Sequence, residues 1–339
     1  MTGCRWQALV FSMIVFLVPA AYADQVVLAN GDRLTGKVVS KTDDTLTFET
    51  EYAGKLEIRW KDVVSIATDA PVTVMSADGK LEKGRLQRTE SGGLELVSEE
   101  GARGVRLTEM DHINPPPHVA GTGVTYSGRV SLLASASSGN TDDARLYGEA
   151  DFRARAKAYS YGLDVRAEQK EESGATTAQN YYMGGRYNYV IDDERFAYVR
   201  SSLENDEFKD IRLRGTLGAG LGFNIFETRK SHLRVLGGLE LVAVDRKDGV
   251  SESFPAFGWG VDYSQWFWAD RFELFHDQKG FASLQDSENI SLRSRTGVRI
   301  PLGSSLSANA QINFDYEGDP GPIRDKTDLQ VLLGLGYDF

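Results

Sequence analysis

Cysteine is almost absent from this chain. Its 339 residues include one, Cys4, which stands before the first apolar run. A lipoprotein cysteine would follow that run, so lipid attachment is not expected. Disulfide frameworks, zinc–thiolate centres and cysteine nucleophiles are excluded from everything downstream. Histidine is scarce: His112, His118, His232 and His276 are the full set. None falls in a His-Glu-x-x-His pattern or beside a serine elbow. No segment supplies the roughly eighteen consecutive apolar residues that mark a membrane-spanning helix. Basic residues are outnumbered, 38 against 49 acidic, for a net charge of −11. Such a chain is a poor match for nucleic acid, whose binding depends on neutralising phosphates. No cofactor or metal-ligand set is legible, and an enzyme is not expected.

The opening residues have a clear pattern. Arg5 precedes an apolar run from Ala8 to Val18, Pro19 interrupts it, and Ala21-Tyr22-Ala23 supplies small residues before Asp24. This pattern predicts a secretory leader over 1–23, cut between Ala23 and Asp24. Without it the chain carries 37 basic and 49 acidic residues, a balance of −12.

Residues 24–117 repeat themselves. Val26–Val38 (VVLANGDRLTGKV) is echoed by Val72–Leu86 (VTVMSADGKLEKGRL), with Gly31 and Gly79, and Gly36 and Gly84, each 48 apart. Ile66 and Ile113, which end the two copies, are 47 apart. Asn-Gly and Asp-Gly favour tight hairpin turns because both central residues need positive φ. The spacing predicts a tandem pair of small SH3-like or Sm-like β modules, 24–70 and 71–114. Pro115-Pro116-Pro117 then opens a linker over 115–122, since proline has no N–H to pair and fixes φ.

From residue 123 to 339 the hydrophobic pattern has period two. Leu146, Ala150, Phe152 and Ala154 alternate with Arg145, Glu149, Asp151, Arg153 and Arg155; Leu306, Ala308, Ala310, Ile312 and Phe314 alternate with Asn309, Gln311, Asn313 and Asp315. These runs exceed the usual five or six residues of soluble strands and suit strands tilted across a bilayer. Twelve strands are expected, closed into a transmembrane antiparallel β-barrel. Polar segments 137–143, 169–178, 204–210, 245–252, 280–288 and 317–328 read as outer loops, with shorter turns at the other end. Acidic residues crowd them, among them Glu171, Glu204, Asp206, Glu207, Asp245 and Asp319. An even strand number puts both barrel ends on one side, which places residues 24–114 in the periplasm.

The final segment is the most specific feature. Leu329, Val331, Leu333, Leu335, Tyr337 and Phe339 share one face. A terminal aromatic preceded by apolar residues at every second position resembles the signal read by the barrel-assembly machinery.

Three stretches resemble one family: Ser137–Asp143 (SSGNTDD), Tyr187–Phe208 (YNYVIDDERFAYVRSSLENDEF) and Leu213–Glu240 (LRGTLGAGLGFNIFETRKSHLRVLGGLE). They are similar to domain-of-unknown-function family 481, whose members carry the description salt-induced outer membrane protein. The resemblance covers about residues 126–339 and implies an outer-membrane barrel without an established activity. It brings no catalytic residue with it.

The candidate site is therefore the lumen. Glu149, Asp151, Arg153 and Arg155 on one strand face Asp164, Arg166 and Glu168 on the next. Arg212, Arg214, Glu240, Arg293, Arg295, Asp315 and Glu317 extend the set. Opposite charges on adjacent strands can pair. They read either as a ladder that stiffens a narrow barrel or as a lining that selects small solutes by charge. Trp259, Tyr263, Trp266, Phe267 and Trp268 read as an interfacial girdle. Expected partners are outer-membrane lipid and lipopolysaccharide, the barrel-assembly machinery, and a periplasmic ligand or peptidoglycan held by residues 24–117. The expected roles are envelope integrity, small-solute passage, or anchoring of a periplasmic scaffold.

Overall fold

The computed structural model describes residues 23–339 apart from 91, 138–142, 208, 248, 269 and 321–324. The expected leader, Cys4 included, and the Ser-Gly-Asn-Thr turn lie outside the described residues. The chain divides into two compact units, one running to Pro115 and one from Pro116 to Phe339.

The first unit is all β. Its strands are β1 (Asp24–Leu28), β2 (Arg33–Thr42), β3 (Thr45–Thr50), β4 (Gly54–Arg59), β5 (Val63–Ala67), β6 (Val72–Ser76), β7 (Leu81–Arg88), β8 (Leu94–Ser98), β9 (Gly101–Val105) and β10 (Met110–Ile113). A 3-10 turn precedes β5 at Trp60–Asp62 and another precedes β10 at Leu107–Glu109. The ten strands form one sheet system, ordered β4-β3-β2-β10-β6-β7-β8-β9, with β1 joining β2 to β5. Gly31 and Gly79 both have positive φ in their hairpin turns. Gly36 and Gly84 recur in the same relation: a Cβ on either would press into the carbonyl of Glu49 or Val97 on the neighbouring strand. These positions therefore need glycine for close backbone approach.

One core serves the whole unit. Val26, Val38, Leu46, Phe48, Ile58 and Ile66 pack with Val74, Leu86, Leu96, Val105, Met110 and Ile113. The halves are also tied by polar links. Trp60 Nε1 donates to the Leu107 carbonyl at 3.2 Å, and the Lys41 ammonium donates to the Asp111 carbonyl. Burial pushes the Lys41 pKa below its usual value, partly offset by Asp111. A sequence repeat has thus closed around a shared interior.

The second unit opens with one helical turn, α1 (Pro117–Ala120), within the segment 115–122 expected as a proline linker. Proline fits the first helical position, and Gly121, at φ +72°, ends the turn. Twelve strands follow: β11 (Thr125–Ser137), β12 (Asp143–Arg155), β13 (Tyr159–Glu172), β14 (Ala175–Val190), β15 (Arg195–Asp206), β16 (Ile211–Glu227), β17 (Ser231–Arg246), β18 (Ser251–Phe267), β19 (Phe272–Ser283), β20 (Ile290–Pro301), β21 (Leu306–Glu317) and β22 (Thr327–Asp338). They form a closed antiparallel barrel in chain order. β22 closes the ring on β11, from Arg129 opposite Asp338 to Ala134 opposite Leu333. Phe339 extends the seam: its N–H and C=O both bond to Gly128, at 3.0 and 2.9 Å.

Side chains alternate between lumen and exterior. Leu217, Leu239, Leu241, Leu329, Val331, Leu333, Leu335, Tyr337 and Phe339 are exposed on the outer wall. An apolar exterior this continuous would be unstable in water. Around a closed barrel with a polar interior it is the arrangement that spans a bilayer. At the short-turn end, Phe267 stacks on Phe272 with centroids 5.1 Å apart, and Trp268 meets Phe272 edge-on at 5.2 Å. Tyr159, Tyr161 and Tyr187 cluster on another part of the wall.

Several expected loops are strand. The segment 169–178 reduces to a two-residue turn at Ser173 and Gly174, both with positive φ. Above the apolar belt the outer face of a strand meets water while the inner face carries buried charge, so hydrophobic alternation disappears although pairing continues. Glu204 and Asp206, read as loop acids, are strand residues whose side chains are buried.

The shared core gives a direct check on the first unit. Phe48→Ala is expected to destabilise it by about 3–5 kcal/mol. Tyr52→Ala, at an exposed turn residue, is expected to fall within about 0.5 kcal/mol of wild type. Denaturant unfolding of the full chain in detergent, followed at the first unit's transition, measures both.

Candidate functional site

The lumen is filled by an ion-pair lattice arranged in tiers. At the loop end, Glu204 receives Arg293 Nη2 at 2.5 Å and lies 3.6 Å from Arg214 Nη1. Arg214 pairs with Glu317 at 2.8 Å. Lys209, on the turn after β15, reaches in to Asp206 at 3.6 Å and Glu204 at 3.8 Å. Beside them Ile211, Val242, Val244, Phe254, Ala256 and Phe281 form an apolar cluster inside the barrel. These groups are shut away from solvent: Asp206 is 1% exposed, Arg214 3%, Ile211 and Val242 0%.

The middle tier joins opposite walls. Arg295 holds Glu149 at 2.6 Å, Asp277 at 3.1 Å and Asp151 at 3.8 Å. Arg166 lies 3.4 Å from Asp277, and Lys279 binds Asp164 at 2.9 Å. Tyr182 is packed by three cations: Arg166 and Arg293 each stand 5.1 Å from its ring centroid and Lys279 5.8 Å. An aromatic face stabilises cations most where water is excluded. Glu168 pairs with Arg145 at 3.0 Å and accepts from Gln330 at 3.0 Å.

Toward the turn end the lumen opens into a cavity of about 460 Å³, whose inner end reaches Glu204, Arg214 and Ser291. Arg186 pairs there with Asp262 at 3.2 Å, Arg200 with Glu240, Arg299 with Glu273 at 2.9 Å and Arg129 with Asp338 at 2.6 Å. Glu240 lies against Gly218 and Gly258, where any Cβ would collide with its side chain. Glycine on those strands makes room for a buried carboxylate. Arg153 projects into this cavity.

The expected ladder and the observed lattice differ in two ways. Adjacent-strand pairing was expected between β12 and β13. The register instead sets Glu149 opposite Arg166 but Asp151 opposite Asp164. The close partner of Glu149 is Arg295, far away in sequence and on another wall. In a narrow barrel long arms cross the lumen, so proximity along one hairpin does not decide the pairing. Arg212 is the second difference. A bulge between Ile211 and Leu213 breaks the alternation. It turns Ile211 inward and leaves the Arg212 side chain 67% exposed, paired with Asp245 outside the lumen lattice. Arg155 sits at the edge, half-exposed and bound to Glu227. The lattice also recruits residues that were not anticipated: Tyr182, Arg186, Arg200, Lys209, Asp262, Glu273, Asp277 and Lys279. Most lie in step with the lumen face of their strands, so period two would have found them; Lys209, on a turn, carries no such signal.

The histidines are dispersed. His112 lies beside Asp111, and His118 bonds Thr125 Oγ1 at 2.8 Å. His232 is in β17, and His276 is in β19 with its Nδ1 2.7 Å from Thr296 Oγ1. Among the described residues, no three histidine, cysteine or acidic side chains are grouped to hold a metal ion.

Fold and lining together define a transmembrane β-barrel of the outer-membrane class, closed by twelve strands around a charged interior. Residues 130–339 match the family described as "Protein of unknown function, DUF481", and the chain belongs to that family. No curated protein matches it. Among solved structures it is similar to the translocator domain of the autotransporter NalP from Neisseria meningitidis, at 15% identity and a TM-score of 0.37 over 65% of this chain and 89% of that one. It is also similar to the NanC porin, at 11% identity and a TM-score of 0.39 over 63% and 99%. For the KdgM porin the values are 11% and 0.34 over 62% and 99%. At these scores no functional property passes from those proteins to this chain.

The lattice makes a measurable demand. Arg295→Met removes the ion-pair partner of Glu149 and, among the described residues, leaves Asp277 with Arg166 alone. It is expected to lower barrel stability by about 3–5 kcal/mol. Arg212→Ala removes an exposed pair and is expected to change it by less than about 1 kcal/mol. The urea dependence of the heat-modifiable folded band in gels compares the two.

Proposed function

We propose that this protein is a non-enzymatic, non-conducting outer-membrane barrel that anchors a periplasmic β unit and contributes to the integrity of the envelope. The observation that carries this reading is the loop end of the lumen. A water-filled passage leaves its lining groups accessible, whereas Asp206, Arg214, Glu317, Ile211 and Val242 are almost wholly buried there. Ion pairs and apolar side chains fill the bore in the manner of a core.

The remaining assignments follow as parts of the proposal. Residues 1–23 serve as a cleaved leader. The chain enters and leaves the barrel at the short-turn end, where Gly128 meets Phe339, and that end faces the periplasm. Residues 24–70 and 71–114 are a tandem pair of SH3-like modules fused through one interior, joined by the linker 115–122 to the barrel at 123–339. Leu333, Leu335, Tyr337 and Phe339 act as the barrel-assembly signal before they become lipid-facing wall. The partners are lipid and lipopolysaccharide around the barrel, and peptidoglycan or a periplasmic protein at the β modules. A stress or salt-response role rests on the family's description alone.

A small-solute channel is the rival reading, favoured by the turn-end cavity of about 460 Å³. Planar-bilayer recording of the purified full chain separates the two. A sealed barrel is expected to give no stepwise conductance, and discrete, reproducible steps would instead establish the channel.

A further inference from the structure

The outer wall of the barrel is built mainly from leucine, valine, isoleucine, alanine and aromatic side chains, and among the described residues five polar side chains gather at one place on it. Tyr263 on β18, His276 and Gln278 on β19, and Ser294 and Thr296 on β20 are brought side by side by the strand register. Tyr263 stands opposite His276 and His276 opposite Thr296, while Gln278 stands opposite Ser294. Their chain neighbours Asp277, Lys279, Arg293 and Arg295 are bound into the lumen lattice. Alternation therefore turns the five polar side chains outward.

The patch lies deep in the belt. Gln278 is six residues along β19 from Phe272, which stacks in the turn-end aromatic cluster. At about 3.3 Å per residue that is roughly 20 Å of strand. With the usual tilt of about 40° it corresponds to about 15 Å of depth, near the middle of an apolar band about 25 Å tall.

The hydrogen bonds inside the patch are incomplete. His276 Nδ1 lies 2.7 Å from Thr296 Oγ1, and His276 Nε2 lies 3.3 Å from Gln278 Oε1. A neutral imidazole meets both contacts by accepting from the threonine hydroxyl and donating to the glutamine carbonyl. The chain then ends on the Gln278 amide nitrogen. Among the described residues neither that nitrogen nor the Ser294 hydroxyl has a hydrogen-bond partner. Acyl chains offer none at this depth, and lipid headgroups are half a membrane away. Polar groups left unpaired in hydrocarbon are costly enough that their usual explanation is a protein partner.

We propose that this face of the wall is a two-fold interface with a second copy of the same chain, centred on Gln278 and Ser294. Three features select that occupant. The patch holds no carboxylate, ammonium or guanidinium group, so two copies meet without repulsion between such charges. A primary amide is both donor and acceptor, so Gln278 can exchange paired bonds with its own symmetry mate; such self-complementarity is what a two-fold contact requires. The hydroxyl of Ser294, directly beside it, adds another group that both gives and accepts.

The test uses the full chain in native outer membranes. Ser294→Cys, with Cys4 replaced by Ser, leaves one thiol and keeps Gln278 intact. With an added oxidant it is expected to yield a disulfide-linked species of twice the chain's mass. Val165→Cys, on the outward face of β13, is expected to yield none. Adding Gln278→Leu to Ser294→Cys should abolish the linked species while the folded, heat-modifiable band persists, which separates loss of the interface from loss of folding. The proposal is overturned if Ser294→Cys remains monomeric in membranes, if Val165→Cys cross-links equally well, if Gln278→Leu leaves the linked species unchanged, or if the thiol links to a protein of another mass. It does not depend on whether the lumen conducts.

Discussion

In hydrocarbon no backbone N–H or C=O has water to fall back on, and that constraint organises this protein. Twelve strands must pair with two neighbours each, so the last has to meet the first. The seam is short: Arg129 to Ala134 against Leu333 to Asp338, then Gly128 against Phe339. Chain identity at this seam matters for the whole barrel. Arg129 and Asp338 lock it with an ion pair at 2.6 Å on the lumen side, and apolar side chains of β22 cover it on the lipid side.

Closure creates a second problem, an interior that must be filled or flooded. This chain fills the loop end with charge. Burying a single ion is prohibitive, and a buried pair is tolerable only when further partners satisfy the remaining donors and acceptors. The lattice meets that requirement by sharing. Arg295 serves Glu149 and Asp277, Arg293 serves Glu204 and Asp315, and Tyr182 offers its ring to three cations. Removing one member strands several others. That interdependence makes the interior rigid, and it leaves the turn-end cavity as the accessible part of the lumen.

The sequence made the barrel legible because period two survives wherever one face meets lipid and the other meets polar side chains. It was also legible at the chain's final strand, where every second residue from Leu329 to Phe339 is apolar. Strand ends were not, since above the belt the outer face meets water and the inner face carries charge; that is how 169–178 came to look like a loop and the buried Glu204 and Asp206 like loop acids. Arg212 was misassigned because a bulge has no signature beyond a local break in alternation. The membership of the lattice was half visible. Inward residues can be read from parity, but which wall a guanidinium reaches depends on the width of the bore, and no local pattern encodes it. The repeat over residues 24–114 was plain from glycine spacing, whereas its single shared core was not, because β10 pairs with β2 as well as with β6.

The central claim is that the lumen is sealed at the loop end and open at the turn end. Thiol accessibility tests it at two lumen positions in a chain with Cys4 replaced by Ser. Ser127 lines the turn-end cavity, and Val242 sits in the buried loop-end cluster with Ile211 and Phe254, outside that cavity's lining. With single cysteines at each position in the folded barrel, a small water-soluble maleimide should label residue 127 readily and leave residue 242, which is fully buried, protected until the barrel is unfolded. Equal labelling of both positions in the folded state would contradict the account.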